Sequence, residues 1–265
     1  IYIMSFYSQN HDIMLKDVSL SGGTSLTIYS ENLSLKELQS FLKPKFEDVV
    51  IRSLTDLKSG KTIALSVESS ASPDDLKASL ESFLGYKLDD SNSTTEFTGE
   101  SLGKSFYREL LRAIIIAFIF MSAVIFILFR SFLPSSYVIL SAFSDIVIPL
   151  AIIDFAGLRI STAGIAAFLM LVGYSVDTDI LLTTRVLKRK GEDTLNNRIF
   201  GAMKTGMTMT LTSLLAVLFA YFIVISPVLK QVFLILSIGL FIDLIITWLL
   251  NASLLKWYCE KRGLN

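Results

Sequence analysis

Five long apolar runs decide what this chain can fold into. Crossing the hydrocarbon core of a bilayer takes about 20 mostly apolar residues, each rising about 1.5 Å along a helix. Residues 113–129 carry no charge and, with an amphipathic lead-in from Ser105, are long enough to cross. Residues 134–156 hold Asp145 centrally and Asp154 near one end, and Pro134 sits where a first helical turn tolerates proline. Residues 160–184 hold Asp177 and Asp179, 205–225 are uncharged but rich in threonine, and 231–255 hold only Asp243. The predicted spans are 105–129, 134–156, 160–184, 205–225 and 231–255, a helical membrane bundle over 105–256 with a tail at 257–265. Hydrophobic residues make up 52% of the chain, and their concentration after residue 113 is what excludes a soluble globular protein. A net charge of zero gives no reason to expect a nucleic-acid partner. Cys259 is the one cysteine and His11 the one histidine, so neither a metal site nor a cofactor is expected.

Lysines and arginines in short loops favour the cytoplasm. Crossing parity puts Arg130, the loop bearing Arg185, Lys188, Arg189, Lys190, Arg198 and Lys204, and the tail with Lys256, Lys261 and Arg262 on one face. The opposite short connections carry Arg159 and Lys230. Lys104, Arg108 and Arg112 break the rule, but they adjoin a long translocated segment, which escapes the bias. The basic loops and C-terminus are thus expected inside, with residues 10–104 outside. Asp154 is expected to pair with Arg159 at the outer boundary. Residues 1–9 are read as the outer end of a first, truncated membrane helix.

The outer segment reads as a small α+β unit. Residues 18–29 alternate like a strand, with Gly22-Gly23 marking a bulge or bend. Ser34 with Glu37 forms a capping box for one helix, and Ser72-Pro73 opens a second whose buried stripe is Leu76, Leu80, Phe83 and Leu84. Residues 49–54 and 62–67 are strands around a Lys58-Ser59-Gly60 turn, and a last strand lies near 94–98. The order βαββαβ is that of a ferredoxin-like sandwich.

Charged groups within a membrane segment are costly, by about 3 kcal/mol on insertion scales, and they mark function. Asp145, Asp177, Asp179 and Asp243 are such groups, and no lysine or arginine lies at similar depth. They must face one another, water or another subunit, or hold a proton. Gly239, Asp243, Thr247 and Asn251 recur every fourth residue, and Ser141 and Asp145 share a face. Asp179 shares a stripe with Ser175 and Thr183, while Asp177 lies on another with Gly173 and Thr184. Thr205, Thr208 and Thr212 are expected to meet them from the next helix. The predicted polar seam is Ser175, Thr183, Thr208, Thr212 and Thr247.

The stretch Gly173-Tyr174-Ser175-Val176-Asp177-Thr178-Asp179, continuing to Arg185, resembles the fourth-helix signature of the SecD/SecF family of protein-export membrane proteins, in its archaeal SecF form. Asp17-Val18-Ser19-Leu20-Ser21-Gly22-Gly23-Thr24 is similar to the family's motif at the start of its first extracytoplasmic domain, and Thr208-Met209-Thr210-Leu211-Thr212-Ser213 to its fifth helix. The resemblance implies a SecDF-like bundle of the RND superfamily, paired with SecD. It also implies work beside the SecY translocon on unfolded preproteins, driven by the proton-motive force. It makes Asp177 and Asp179 the carried-over acids, and Asp177 follows the glycine lead-in of RND membrane acids. Two departures stand against a residue-by-residue copy. The bacterial signature reads Asn-Asp-Thr where this chain has Asp177-Thr178-Asp179, and the bacterial fifth-helix arginine falls near Thr208. An RND-type exporter of lipids or small molecules and a scaffold for SecD without its own proton path are the alternatives. A membrane aspartic protease lacks its Gly-x-Gly-Asp motif here, so no enzyme is expected.

Overall fold

The structure is a computed structural model that describes residues 2–10, 12–30, 33–55, 62–188 and 194–263. Five helices are long and apolar enough to cross a membrane. They are α5 (Glu100–Phe129), α6 (Phe132–Phe155), α7 (Thr162–Lys188), α8 (Leu195–Ile223) and α9 (Pro227–Ile245). The last continues through a π-helical turn, Ile246–Asn251, into α10 (Ala252–Lys261). Helix α7 is the hub, packing against α5, α6, α8 and α9. Ile165, Phe168 and Leu171 of α7 bury against Ile153 of α6 and Ile235 of α9. Pro149 is accommodated inside α6. Helix α8 begins ten residues before the predicted span. Thr194 caps its start, accepting from the Asn197 amide, and Arg198 is buried, donating to the Val186 carbonyl at 2.8 Å.

Ahead of the bundle lie α1 (Tyr2–Asn10), α2 (Val18–Ser21), β1 (Gly23–Tyr29), α3 (Leu35–Leu42), β2 (Val50–Thr55), β3 (Thr62–Ser69), α4 (Pro73–Leu84) and β4 (Ser93–Thr98). The four strands form one sheet in the order β2-β3-β1-β4 with every neighbouring pair antiparallel. Strand alternation sends Leu26, Ile28, Leu65 and Val67 to one face, where Leu38, Leu42, Leu76 and Leu80 of α3 and α4 cover them. The other face is polar. Ser25, Thr27, Ser66, Glu68, Arg52, Thr94 and Glu96 line a cavity of about 590 Å³ between the sheet and the nearby ends of the bundle. Burial raises the Glu68 carboxyl above its usual range, and the Arg52 guanidinium 3.2 Å away partly offsets that.

Three expectations are corrected. Residues 18–21 are a helical turn rather than strand, because Asp17 caps them by accepting from the Ser19 amide and hydroxyl at 2.8 and 2.6 Å. Ser34 stands at the N-cap of α3 but its hydroxyl makes no capping bond, whereas Ser72 does cap α4 at the Asp75 amide. Asp154 does not pair with Arg159. It is buried and accepts from the Leu15 amide at 3.1 Å, because the segment before α2 crosses back over the α6–α7 connection. The Lys58-Ser59-Gly60 turn, His11 and the basic pair Arg189-Lys190 lie outside the described residues.

Candidate functional site: a buried carboxylate cluster

Asp145 on α6, Asp179 on α7 and Asp243 on α9 point into the bundle and are each no more than 1% exposed. Helices α6 and α7 exchange hydroxyls reciprocally. Ser141 of α6 donates to Asp179 at 3.2 Å, and Ser175 of α7 donates to Asp145 at 2.5 Å. Each donor lies four residues from the acid on its own helix, which puts both on one face.

Helix α9 supplies the third wall. The Thr247 hydroxyl is 3.1 Å from both Asp179 and Asp243, and with one hydrogen it serves one acid at a time. The Asn251 amide donates to Asp179 at 2.6 Å. On a regular α-helix each four-residue step drifts by about 40° at 100° per residue, which would carry Asn251 off the seam. The π turn over Ile246–Asn251 takes that drift back, so Asp243, Thr247 and Asn251 all face α7.

Helix α8 enters through Thr210, which lies 3.5 Å from Asp243 and 3.4 Å from Thr178. The predicted Thr208 and Thr212 are not in the seam. Both are exposed and return their hydrogens to their own helix, at the Lys204 carbonyl (2.7 Å) and at the Thr208 and Met209 carbonyls (2.9 and 2.8 Å). The signal overlooked was the small-residue stripe Ala202, Gly206 and Thr210, which lets α8 approach closely. A β carbon on Gly206 would stand 2.5 Å from the Trp248 ring and 3.0 Å from Thr178.

Ser175, Thr183 and Thr247 lie in the seam, each fully buried. Asp145, Asp179 and Asp243 are brought together and Asp177 is not: it faces outward on α7, exposed. Asp145 Oδ1, Asp179 Oδ2, Asn251 Oδ1 and Thr183 Oγ1 are buried without a hydrogen-bond partner. No lysine or arginine forms an ion pair with these acids among the described residues, and no group there has the make-up of a metal site. Such an arrangement holds exchangeable hydrogens among unsatisfied oxygens and has no fixed countercharge.

At the sheet end of the bundle a second polar knot ties the two parts together. Gln231 accepts from the Ser161 amide (3.0 Å) and hydroxyl and donates to the Arg159 carbonyl, while Ser19 accepts from the Thr162 amide at 2.9 Å.

The molecule is thus a multi-pass helical membrane protein with an acidic, hydroxyl-lined interior and a small sheet packed on one end. Residues 79–261 match the family model for the protein-export membrane protein SecD/SecF C-terminal region. The chain is 37% identical over 245 residues to the SecF protein-export membrane protein of Thermococcus gammatolerans, covering 92% of this chain and 78% of that one. It is 38% identical over 253 residues to SecF of Methanocaldococcus jannaschii, covering 93% and 88%. A further SecF, from Methanolacinia petrolearia, is 48% identical over 169 residues, 62% of this chain and 59% of its own length. The chain belongs to the SecD/SecF family. The fold is similar to that of the crystal structure of SecDF, a translocon-associated membrane protein from Thermus thermophilus, with a TM-score of 0.75 at 21% identity. That match covers 93% of this chain but 34% of the Thermus chain.

Proposed function

We propose that this chain is an accessory subunit of the Sec protein translocase that works with SecD beside the SecY channel, promotes preprotein export, and couples to proton movement through Asp145, Asp179 and Asp243. Its SecF relatives support the export role. The observation that carries the coupling is the buried trio of carboxylates, two of them with an unsatisfied oxygen, sharing hydroxyl donors across three helices. The sheet and its two helices form a ferredoxin-like sandwich outside the membrane, a reading that the β2-β3-β1-β4 order and antiparallel pairing support. Proton uptake changes which acid each hydroxyl serves, and the Gln231–Ser161–Ser19 knot passes the resulting helix shift to the outer unit. The work is mechanical rather than enzymatic.

The test is an export assay in membranes with and without an imposed proton gradient. Asp179→Asn keeps shape and hydrogen bonding but removes titration, so it is expected to lose most of the gradient-dependent export while co-purifying normally with SecD. Asp179 takes the place of Asp177 as the acid to change first, because it is the one inside the cluster. If Asp179→Asn and the double variant with Asp145→Asn respond to the gradient as the parent does, the chain is a scaffold for SecD without its own proton path.

A further inference from the structure

The cavity of about 590 Å³ between the sheet and the bundle plays no part in the carboxylate cluster. Its roof is laid out by strand register. Arg52, Ser66, Thr27 and Thr94 stand side by side across all four strands, and Glu68, Ser25 and Glu96 form the adjoining row. Ser66 and Thr27 line the cavity, are only 5% and 8% exposed, and their hydroxyls make no hydrogen bond among the described residues. Buried hydroxyls are ordinarily partnered. Two without partners, next to each other and facing a void, mark a place for a polar ligand.

The floor supplies positive charge. Ser226, Pro227, Val228 and Lys230 open α9 onto the cavity, and Arg159 enters from the α6–α7 connection. The Ser226 hydroxyl makes no capping bond, Pro227 has no amide hydrogen, and the amides of Val228 and Leu229 find no acceptor among the described residues. A helix start of this kind, with the positive end of its dipole uncapped and a lysine beside it, attracts an anion. The side chains of Arg159 and Lys230 form no ion pair among the described residues. The acids nearby are engaged or peripheral. Glu68 faces the Arg52 guanidinium at 3.2 Å, Asp17 caps α2, and Glu96 stands exposed on the edge strand β4.

The mouth is apolar. Phe222, Ile223, Ile225, Val228 and Leu229, around the α8–α9 connection, are all exposed, and Tyr221, Leu234 and Ile235 carry the apolar lining inward. The connection joins the ends of two membrane-crossing helices, so the cavity lies at the level of lipid headgroups. A free phosphate ester gains nothing from such a lip, and an extended polypeptide gains little from unpaired cations at a helix start. A lipid uses both. We propose that the cavity binds the phosphate-bearing headgroup of an anionic membrane lipid. The phosphate lies between Arg159, Lys230 and the first turn of α9, the headgroup hydroxyls meet Ser66 and Thr27, and the chains run out over Ile225 and Leu229. Such a lipid ties the sheet to the bundle whether or not the buried acids move protons.

The test is native mass spectrometry of the full chain in a neutral detergent, titrated with phosphatidylglycerol or phosphatidylcholine. Phosphatidylglycerol is expected to bind about tenfold or more tightly than phosphatidylcholine. The double variant Arg159→Gln, Lys230→Gln loses that preference, by about tenfold or more in affinity. Both exchanged side chains are partly exposed, so the double variant folds as the parent does. Ser66→Leu, which fills the roof without altering charge, weakens binding as well. Arg112→Gln, at an exposed cation on α5, binds phosphatidylglycerol as the parent does. Glycerol phosphate at equal concentration leaves the lipid in place. Equal binding of the two lipids by the parent, or parent-level binding by the double variant, overturns the proposal. Displacement by glycerol phosphate at equal concentration overturns it in favour of a small-phosphate site, and displacement by an unfolded polypeptide in favour of a peptide site.

Discussion

At the residue scale, the hydroxyl of Thr247 is the most informative group in the molecule. It stands within hydrogen-bond reach of two carboxylates on two helices. Thr247→Val keeps the shape and deletes the donor, leaving both acids short of a partner. Removal of one member of a buried hydrogen bond costs about 1–3 kcal/mol in water-soluble proteins, and interhelical bonds in membranes average nearer 0.6. A loss of about 1 kcal/mol in detergent unfolding is expected for Thr247→Val. Thr208→Val and Thr212→Val should stay within about 0.5 kcal/mol of the parent, because those hydroxyls serve only their own backbone. Equal losses at all three positions would contradict the register of α8 described above.

Among the elements, α8 and the π turn of the last helix decide whether the cluster exists. Gly206 lets the Trp248 ring and Thr178 lie against the α8 backbone. Gly206→Leu therefore forces α8 away from α7 and α9, and overpacking of this kind costs about 1–3 kcal/mol. It should also separate Thr210 from Asp243. Gly173→Leu, facing open space, should leave the unfolding temperature of the isolated chain unchanged. Thermal unfolding of the two variants in the same detergent checks the contrast. A second glycine contact joins the sheet unit to the bundle. Gly22 adopts φ 90° and an added β carbon would stand 2.4 Å from the Glu100 backbone, so α2 and the start of α5 touch main chain to main chain.

For the whole molecule, the proposed coupling requires that events in the bundle reach the sheet, and the hydrogen bonds of Gln231 lie where the two meet. Gln231→Leu removes the acceptor of Ser161 and the donor to the Arg159 carbonyl without touching an acid. If the knot carries the coupling proposed above, export is expected to fall several-fold while SecD retention is kept. Unchanged export would show that the sheet is coupled by another route. Sidedness is the other whole-molecule property. In a Cys259→Ser background, a cysteine at Asn196 should resist a membrane-impermeant label in intact cells and one at Ser91 should react, both positions being exposed. The reverse pattern would invert the orientation.

What the sequence determined by itself was everything set by local composition and period. The spans follow from apolar length, and the sheet core from two-residue alternation at Leu26, Ile28, Leu65 and Val67. The α4 start follows from Ser72-Pro73, and the membrane acids stand out because hydrocarbon tolerates so few. Even the split between Asp177 and Asp179 was visible, since residues two apart on a helix point different ways. Only the tertiary structure decided which of the two faces inward, because both stripes of α7 carry polar residues and the choice depends on where α6 and α9 pack. The same holds for Thr210 over Thr208 and Thr212, where Gly206 sets how α8 rotates against Trp248. The four-residue recurrence put Asn251 on the stripe of Asp243 and Thr247, but its reach to Asp179 depends on a π turn that no local pattern announces. Asp154 found a backbone amide 139 residues away in place of nearby Arg159. Periodicity tells which residues share a face; contacts between distant segments tell which face is buried, and against what.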